Sequence, residues 1–282
     1  MKSTTKLPNC FIAGCQKTGS TWLYHCFKEH PEIFVPSIDH LNYFSFQHYR
    51  GIDWLKQWYE DVESQKAICD PTPSYFQAPG VALRIHEHDP QAKIIITLRN
   101  PVERSYSHYK HLYRKGHISV NFDQALFKAN VGSFDFFRLL IHPSLYYDKL
   151  SEFYKVFPAE QILITFFEDL SSDPKQYLQR VFEFLKVDSS FSPSVVDKRV
   201  NTADQRAGKI DFSKRNFADK IKNGELIASA IRTIANQFTP KVQNRMVASE
   251  ITKKTRNELN SLFKEDIVKT SQLTGTDLSH WF

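Results

Sequence analysis

Phe11-Ile12-Ala13-Gly14-Cys15-Gln16-Lys17-Thr18-Gly19-Ser20-Thr21 is the stretch that decides the fold. The apolar run Phe11 to Ala13 reads as a buried strand, Gly14 to Gly19 as a loop, and Trp22 to Glu29 as the helix that follows. A strand, loop and helix in this order collect anions. Glycines let the backbone curl until several N–H groups converge, and the first helical turn adds unpaired donors and the positive end of the dipole. Lys17 and the hydroxyls of Thr18, Ser20 and Thr21 supply charge and further hydrogen bonds. The nearest familiar pattern is the triphosphatase loop G-x-x-x-x-G-K-[ST], but here the lysine precedes the second glycine and Ser20 stands where the lysine should be. That displacement argues against ATP or GTP hydrolysis and for a loop that turns its lysine toward a different bond.

Working outward, Lys93-Ile94-Ile95-Ile96-Thr97-Leu98 has the composition of a buried parallel strand, and it delivers Arg99 at its C-terminal end, where open α/β sheets bind ligands. Asn100 can cap the next helix and Pro101 fits its first turn, with Val102, Tyr106, Tyr109 and Tyr113 recurring at helical spacing. Ser107 lies nearly two turns into that helix, so it converges with Arg99 only if strand and helix pack closely. Strands are expected near 9–13, 66–69, 93–98 and 161–166, and helices near 21–29, 53–60, 79–88, 101–115, 144–156 and 174–185. Their alternation predicts one α/β domain over all 282 residues, with a central, mostly parallel sheet and helices on both faces. Residues 200–282 read as helical and charged, with Phe217, Leu226, Ile231, Val242, Leu259 and Leu262 as packing points that cap the sheet or wall a cleft.

Composition narrows the partners. A net charge of +6 and a pI near 9.0 favour anions, but the basic residues are interleaved with 31 acidic ones. A diffuse field that draws in a multiply charged nucleotide explains this better than a nucleic-acid surface. Four cysteines, Cys10, Cys15, Cys26 and Cys69, fall in or beside core elements without a disulfide-like framework, as in a reducing cytosol. Met1 to Lys6 run almost directly into the first strand, so a soluble cytoplasmic protein without signal peptide or anchor helix is expected. Neither C-x-x-C nor H-E-x-x-H occurs, and His108, His111 and His117 are spaced irregularly, as solvated helix and loop residues would be. No metal is expected.

The loop Gln16 to Thr21 and the segment Thr97-Leu98-Arg99-Asn100-Pro101-Val102-Glu103-Arg104-Ser105-Tyr106-Ser107 resemble the two signature motifs of sulfotransferases that use 3′-phosphoadenosine-5′-phosphosulfate (PAPS). Gly51 to Trp54, Thr72 to Phe76, Ser144 to Tyr146, and Gln161 to Ile164 leading to Glu168-Asp169-Leu170 and Phe184-Leu185 are similar to the heparan sulfate N- and O-sulfotransferase branch and its bacterial relatives. The resemblance covers roughly residues 7–190. It implies a sulfotransferase fold, with the 5′-phosphate held by Gln16, Lys17, Thr18, Gly19, Ser20 and Thr21 and the 3′-phosphate by Arg99 and Ser107. Arg199 to Arg206 sits where the family usually closes a loop over the nucleotide. Lys17 is the candidate for stabilising charge on the departing phosphate. A sulfuryl group carries less negative charge than a phosphoryl group, which removes much of the need for metal ions.

The branch commonly has a glutamate three residues before a pair of aromatics, and the matching stretch here is Asp39-His40-Leu41-Asn42-Tyr43-Phe44. His40 takes the glutamate's place, and an imidazole can accept a hydroxyl proton near neutral pH. Asp39 and Asp70 are the alternatives. Pro71 stands where the branch often carries a lysine, and the missing charge argues away from a heparan-like acceptor. The resemblance thus implies sulfuryl transfer to a hydroxyl, less readily an amine, of a soluble metabolite, glycan or natural product, in a bacterial cytosol. A nucleoside or small-molecule kinase and a non-catalytic nucleotide- or RNA-binding module are the competing readings. Tyr43, Phe44, Phe46, Tyr49, Trp54, Tyr75 and Phe76 flank the cleft, most of them as core.

Overall fold

The computed structural model describes residues 6–130, 132, 134–196 and 250–282. Arg199 to Arg206, Phe217, Leu226, Ile231 and Val242 lie outside them. Five parallel strands, β1 (Cys10–Gly14), β2 (Ile33–Phe34), β3 (Ala67–Asp70), β4 (Lys93–Leu98) and β5 (Ile162–Phe166), form one sheet in the order β2-β3-β1-β4-β5. The four strands expected from sequence are present. β2 was not expected, because two residues are too few to display a period.

Side chains alternate across the pleat, and both faces are buried. Phe11, Ala13, Ile94 and Ile96 enter one apolar core; Cys10, Ile12, Ile95 and Cys69 enter the other. The second core is closed by α1 (Ser20–Glu29), through Leu23, Cys26 and Phe27, and by a later helix over 174–185, through Tyr177, Val181 and Phe182. On the first face lie α2 (Ile52–Lys56), α3 (Val81–His88) and α4 (Pro101–Arg114). The expected helix at 53–60 is therefore shorter than its pattern suggested.

α5 (Phe122–Asn130), α6 (Phe134–Phe136) and the wide turn Phe137–Ile141 that continues it fold against α4 and against one another. None of the three was expected from sequence. α7 (Tyr147–Tyr154) precedes β5, and α8 (Phe167–Ser172) and α9 (Pro174–Leu185) follow it. α10 (Lys253–Thr274) lies on α4 and α7, burying Thr255, Leu259, Phe263, Ile267 and Thr270, which recur at one helical turn. Leu259 is a packing point as expected. Leu262 is not: it sits off that stripe and is 38% exposed.

Topology places the site. From β1 the chain moves toward β2 and β3, whereas β4 continues on the other side of β1 toward β5. The loops leaving β1 and β4 therefore diverge, and the crevice between them lies at the C-terminal ends of the strands.

Candidate active site

Residues 15–19 occupy that crevice. The Cys15 N–H donates to the carbonyl of Thr97 on β4 (2.8 Å), and the buried Thr18 hydroxyl donates back to the Cys15 carbonyl (2.7 Å), so the loop is pinned to β4 and folded on itself. Lys17 and Gly19 adopt the left-handed region, with φ of 74° and 91°. At Gly19 a second constraint applies, since a Cβ there would stand 2.5 Å from Cδ2 of Leu170 on α8. Gly19 also precedes α1 without a side chain to cap it, and the first N–H to close a helical bond is that of Leu23, onto the Gly19 carbonyl (3.1 Å). The preceding N–H groups, including those of Ser20 and Thr21, have no partner within the helix. Gln16, Lys17, Ser20 and Thr21 are half-buried.

Arg99 joins the two motifs. Its guanidinium donates to the Lys17 carbonyl (3.2 Å) and lies over the ring of Phe167, 4.3 Å from the centroid. Burial lowers its pKa from the usual arginine value, opposed by the charges of Glu103 and Glu168. Asn100 then caps α4 by accepting from the N–H groups of Val102 (3.0 Å) and Glu103 (3.3 Å), and its own N–H is held by Glu168 Oε1 (2.9 Å). The C-terminal segment reaches this junction as well. The Asn100 side-chain amide donates to the Trp281 carbonyl (3.1 Å), and the Tyr146 hydroxyl donates to the Arg99 carbonyl (2.8 Å). Asp266 of α10 in turn accepts from the backbone of Tyr146 (2.7 Å) and Tyr147 (3.1 Å).

Ser107 is half-buried on α4. Arg104 and His108 are one turn apart on this helix, and the structure corrects the expectation that His108 is solvated. Its ring is bonded to the Leu139 backbone, Nδ1 is buried without a hydrogen-bond partner, and burial together with the charges of Arg104 and Lys17 drives its pKa down to about 3. Folding of the 122–141 segment over α4 buries it, and that segment carried no sequence signal. Arg104 is fully buried: Nε donates to the Ser144 hydroxyl (2.5 Å), one Nη to the Leu140 carbonyl (3.0 Å), and the other Nη has no partner. Burial pushes the Cys15 thiol up to about 12 despite Arg104 and Lys149, so it is an inert packing residue. Among the described residues, no group of three or more His, Cys, Asp or Glu could hold a metal ion.

The candidate base expected from sequence lies in the segment 39–50, which follows β2. His40 is exposed, with φ of 110°, and its Nδ1 stands 3.4 Å from Oδ1 of Asp39. Burial would raise the Asp39 pKa, but the hydrogen bond and charge of His40 outweigh it and hold the carboxyl below its ordinary value. Asp70 is fully buried at the end of β3, with both carboxylate oxygens occupied, and is closed to an acceptor. Tyr43, Phe44, Tyr75 and Phe76 are core, as expected, whereas Phe46 and Tyr49 are 71% and 78% exposed. Arg50 lies over the rings of Tyr49 and Trp54 at 5.7 and 5.2 Å.

A loop leaving β1 is thus tied to an arginine at the end of the neighbouring β4. Residues 7–271 match the sequence model of the sulfotransferase domain. The chain belongs to the sulfotransferase domain family. It is 28% identical over 180 residues to human heparan sulfate glucosamine 3-O-sulfotransferase 6, covering 64% of this chain and 52% of that protein. It is 38% identical over 106 residues to the membrane-associated sulfotransferase kil1 of Dictyostelium discoideum, covering 36% of this chain and 22% of the other. The chain thus spans about half the length, or less, of these curated relatives. The solved structure of a sulfotransferase from Alicyclobacillus acidocaldarius superposes with a TM-score of 0.74 at 24% identity, over 98% of this chain and 99% of that one, which establishes the shared fold.

Proposed function

We propose that this chain moves a sulfuryl group from PAPS to a hydroxyl, less readily an amine, of a small-molecule or carbohydrate acceptor. The observation that carries the reading is the Arg99 hydrogen bond to the Lys17 carbonyl, which makes the loop after β1 and the end of β4 one cationic site. The donor set fits the nucleotide: Lys17, Ser20, Thr21, the open N–H groups of α1, Arg99 and Ser107 are all donors, with no carboxylate among them. Lys17 and the loop would hold the 5′-phosphosulfate, and Arg99 and Ser107 the 3′-phosphate. In an in-line displacement the acceptor oxygen bonds to sulfur as the bond from sulfur to the bridging oxygen breaks. The electron pair leaves with adenosine 3′,5′-bisphosphate. Lys17 stabilises the charge that grows on that oxygen. His40 takes the acceptor's proton at Nε2 while Asp39, on Nδ1, orients the ring and stabilises the imidazolium. The four buried free thiols support a cytoplasmic setting.

A thermal-shift series against adenosine 3′,5′-bisphosphate, ATP and a short RNA separates this reading from the alternatives. Strong stabilisation by the bisphosphate alone is expected, followed by transfer of labelled sulfate from PAPS that survives EDTA. Stabilisation by ATP with an absolute Mg²⁺ requirement would establish a kinase. Binding of RNA without the bisphosphate would establish a nucleic-acid module.

A further inference from the structure

We propose that Asp70 is a positioning residue that holds His40 in place for proton abstraction, acting through the hydroxyls of Thr72 and Tyr75. The proposal rests on the reading of His40 as the base. His40 and Asn42 both adopt positive φ, 110° and 55°, which non-glycine residues keep only where their surroundings over-determine the backbone. The surroundings here trace back to one carboxylate. Oδ1 of Asp70 accepts from the Thr72 hydroxyl (2.6 Å) and Oδ2 from the Tyr75 hydroxyl (2.7 Å). Each hydroxyl thereby has its proton committed to Asp70 and its lone pairs turned to the loop. Tyr75 accepts from the Phe44 N–H (3.1 Å) and Thr72 from the Asn42 N–H (3.4 Å). Ser74 completes the brace by donating to Oδ1 of Asn42 (2.7 Å), whose amide donates to the His40 carbonyl (2.9 Å).

Chemistry explains why a carboxylate is needed. Two hydroxyls that must both accept from backbone N–H groups need an acceptor-only group behind them, and an ionised aspartate is such a group. An amide in its place offers one oxygen and two competing donors. Burial raises the Asp70 pKa to about 6 against the bonds from Thr72 and Tyr75, so the carboxylate is retained at neutral pH at a cost to the fold. Tyr59, buried beside it with an unpartnered hydroxyl, and Cys69 add no compensating positive charge; the positive charge that His40 carries once it has taken a proton would favour the carboxylate.

The test is a double-mutant cycle in the full chain, with turnover normalised to adenosine bisphosphate binding sites so that unfolded protein does not count. Asp70→Asn and Tyr75→Phe are each expected to lower kcat at least 10-fold while the Kd for adenosine bisphosphate changes less than 2-fold; Thr72→Ser, which keeps the hydroxyl, retains activity. In a His40→Ala background the same substitutions are expected to lower kcat no further. Tyr75→Phe keeps the experiment decisive should Asp70→Asn fold poorly. An undiminished loss in the His40→Ala background, or normal kcat in Tyr75→Phe, overturns the proposal. Near-normal turnover of His40→Ala alone overturns instead the assignment of His40 as base.

Discussion

The loop over 15–19 and the segment 39–44 both follow C-terminal ends of the parallel strands but are held in different ways. Main-chain carbonyls accept each bond that holds the first: the Cys15 N–H donates to Thr97, the Thr18 hydroxyl to Cys15 and the Arg99 guanidinium to Lys17. Side chains hold the second, through Asn42, Thr72, Ser74, Tyr75 and Asp70. A site made from strand ends and a helix N-terminus needs only a few residue types and so recurs in a recognisable pattern. A loop tied by side chains changes whenever those side chains change. In sequence, one departure from the branch it resembles falls in this segment, at His40, and a second at Pro71, next to Asp70.

The contrast can be broken most sharply at the two reactive groups. His40→Ala should lower turnover by roughly 10²- to 10⁴-fold with nucleotide affinity nearly intact. The wild-type rate should rise with pH along a limb that vanishes or moves in His40→Glu. If Asp39→Ala is inactive while His40→Ala works normally, the carboxylate is the base. In the loop after β1, Lys17→Ala should cost about 10²- to 10³-fold in kcat with a smaller loss of adenosine bisphosphate binding. Arg99→Ala should chiefly raise the Kd. Equal weakening of binding with unchanged turnover in both variants would remove Lys17 from catalysis.

A smaller effect tests the claim that backbone geometry holds the anion loop. Gly19→Ala must accommodate a Cβ 2.5 Å from Leu170 Cδ2 at φ of 91°, and should destabilise the fold by about 1–3 kcal/mol. Pairing it with Leu170→Ala in a denaturation series should show an interaction between the two sites; strict additivity would mean the contact does not matter.

The mildest prediction concerns pH. His108 is held neutral down to about 3, below its ordinary value of 6.5, so an unfolded chain takes up a proton that the folded chain refuses. Its stabilisation is complete above about 6.5 and is lost as pH falls toward 3. Asp70 has the opposite sign. With its pKa raised to about 6, the folded chain keeps a proton that the unfolded one has released, and stability from this group falls as pH rises from 3.8 through 6. Measured as Tm against pH, His108→Gln should lose less stability than wild type on acidification. Parallel curves would show that the ring is hydrated.

Much of the fold was legible because its elements announce themselves locally. β1 and β4 are apolar runs ending in residues that leave the sheet, Asn100 and Pro101 mark the start of α4, and Gly19 marks the turn into α1. Lys17 and Arg99 come from two separate motifs, read from sequence as holding the two phosphates of one nucleotide, and the 3.2 Å hydrogen bond from the Arg99 guanidinium to the Lys17 carbonyl ties those motifs together. α5 and the wide turn 137–141 were not legible, since their packing on α4 depends on residues distant in sequence.

By itself the sequence determined the parallel α/β sheet, the anion loop and the residue types at its rim, because strand periodicity, glycine conformation and helix capping act between near neighbours. Tertiary structure alone decided which titratable groups are reachable. On paper His40 is the candidate base with Asp39 and Asp70 as alternatives; folding leaves His40 exposed, pairs Asp39 with it and seals Asp70 behind two hydroxyls. Burial is set by segments far away in the chain, and it is burial that determines whether a carboxylate or an imidazole meets water, a substrate or only its own fold.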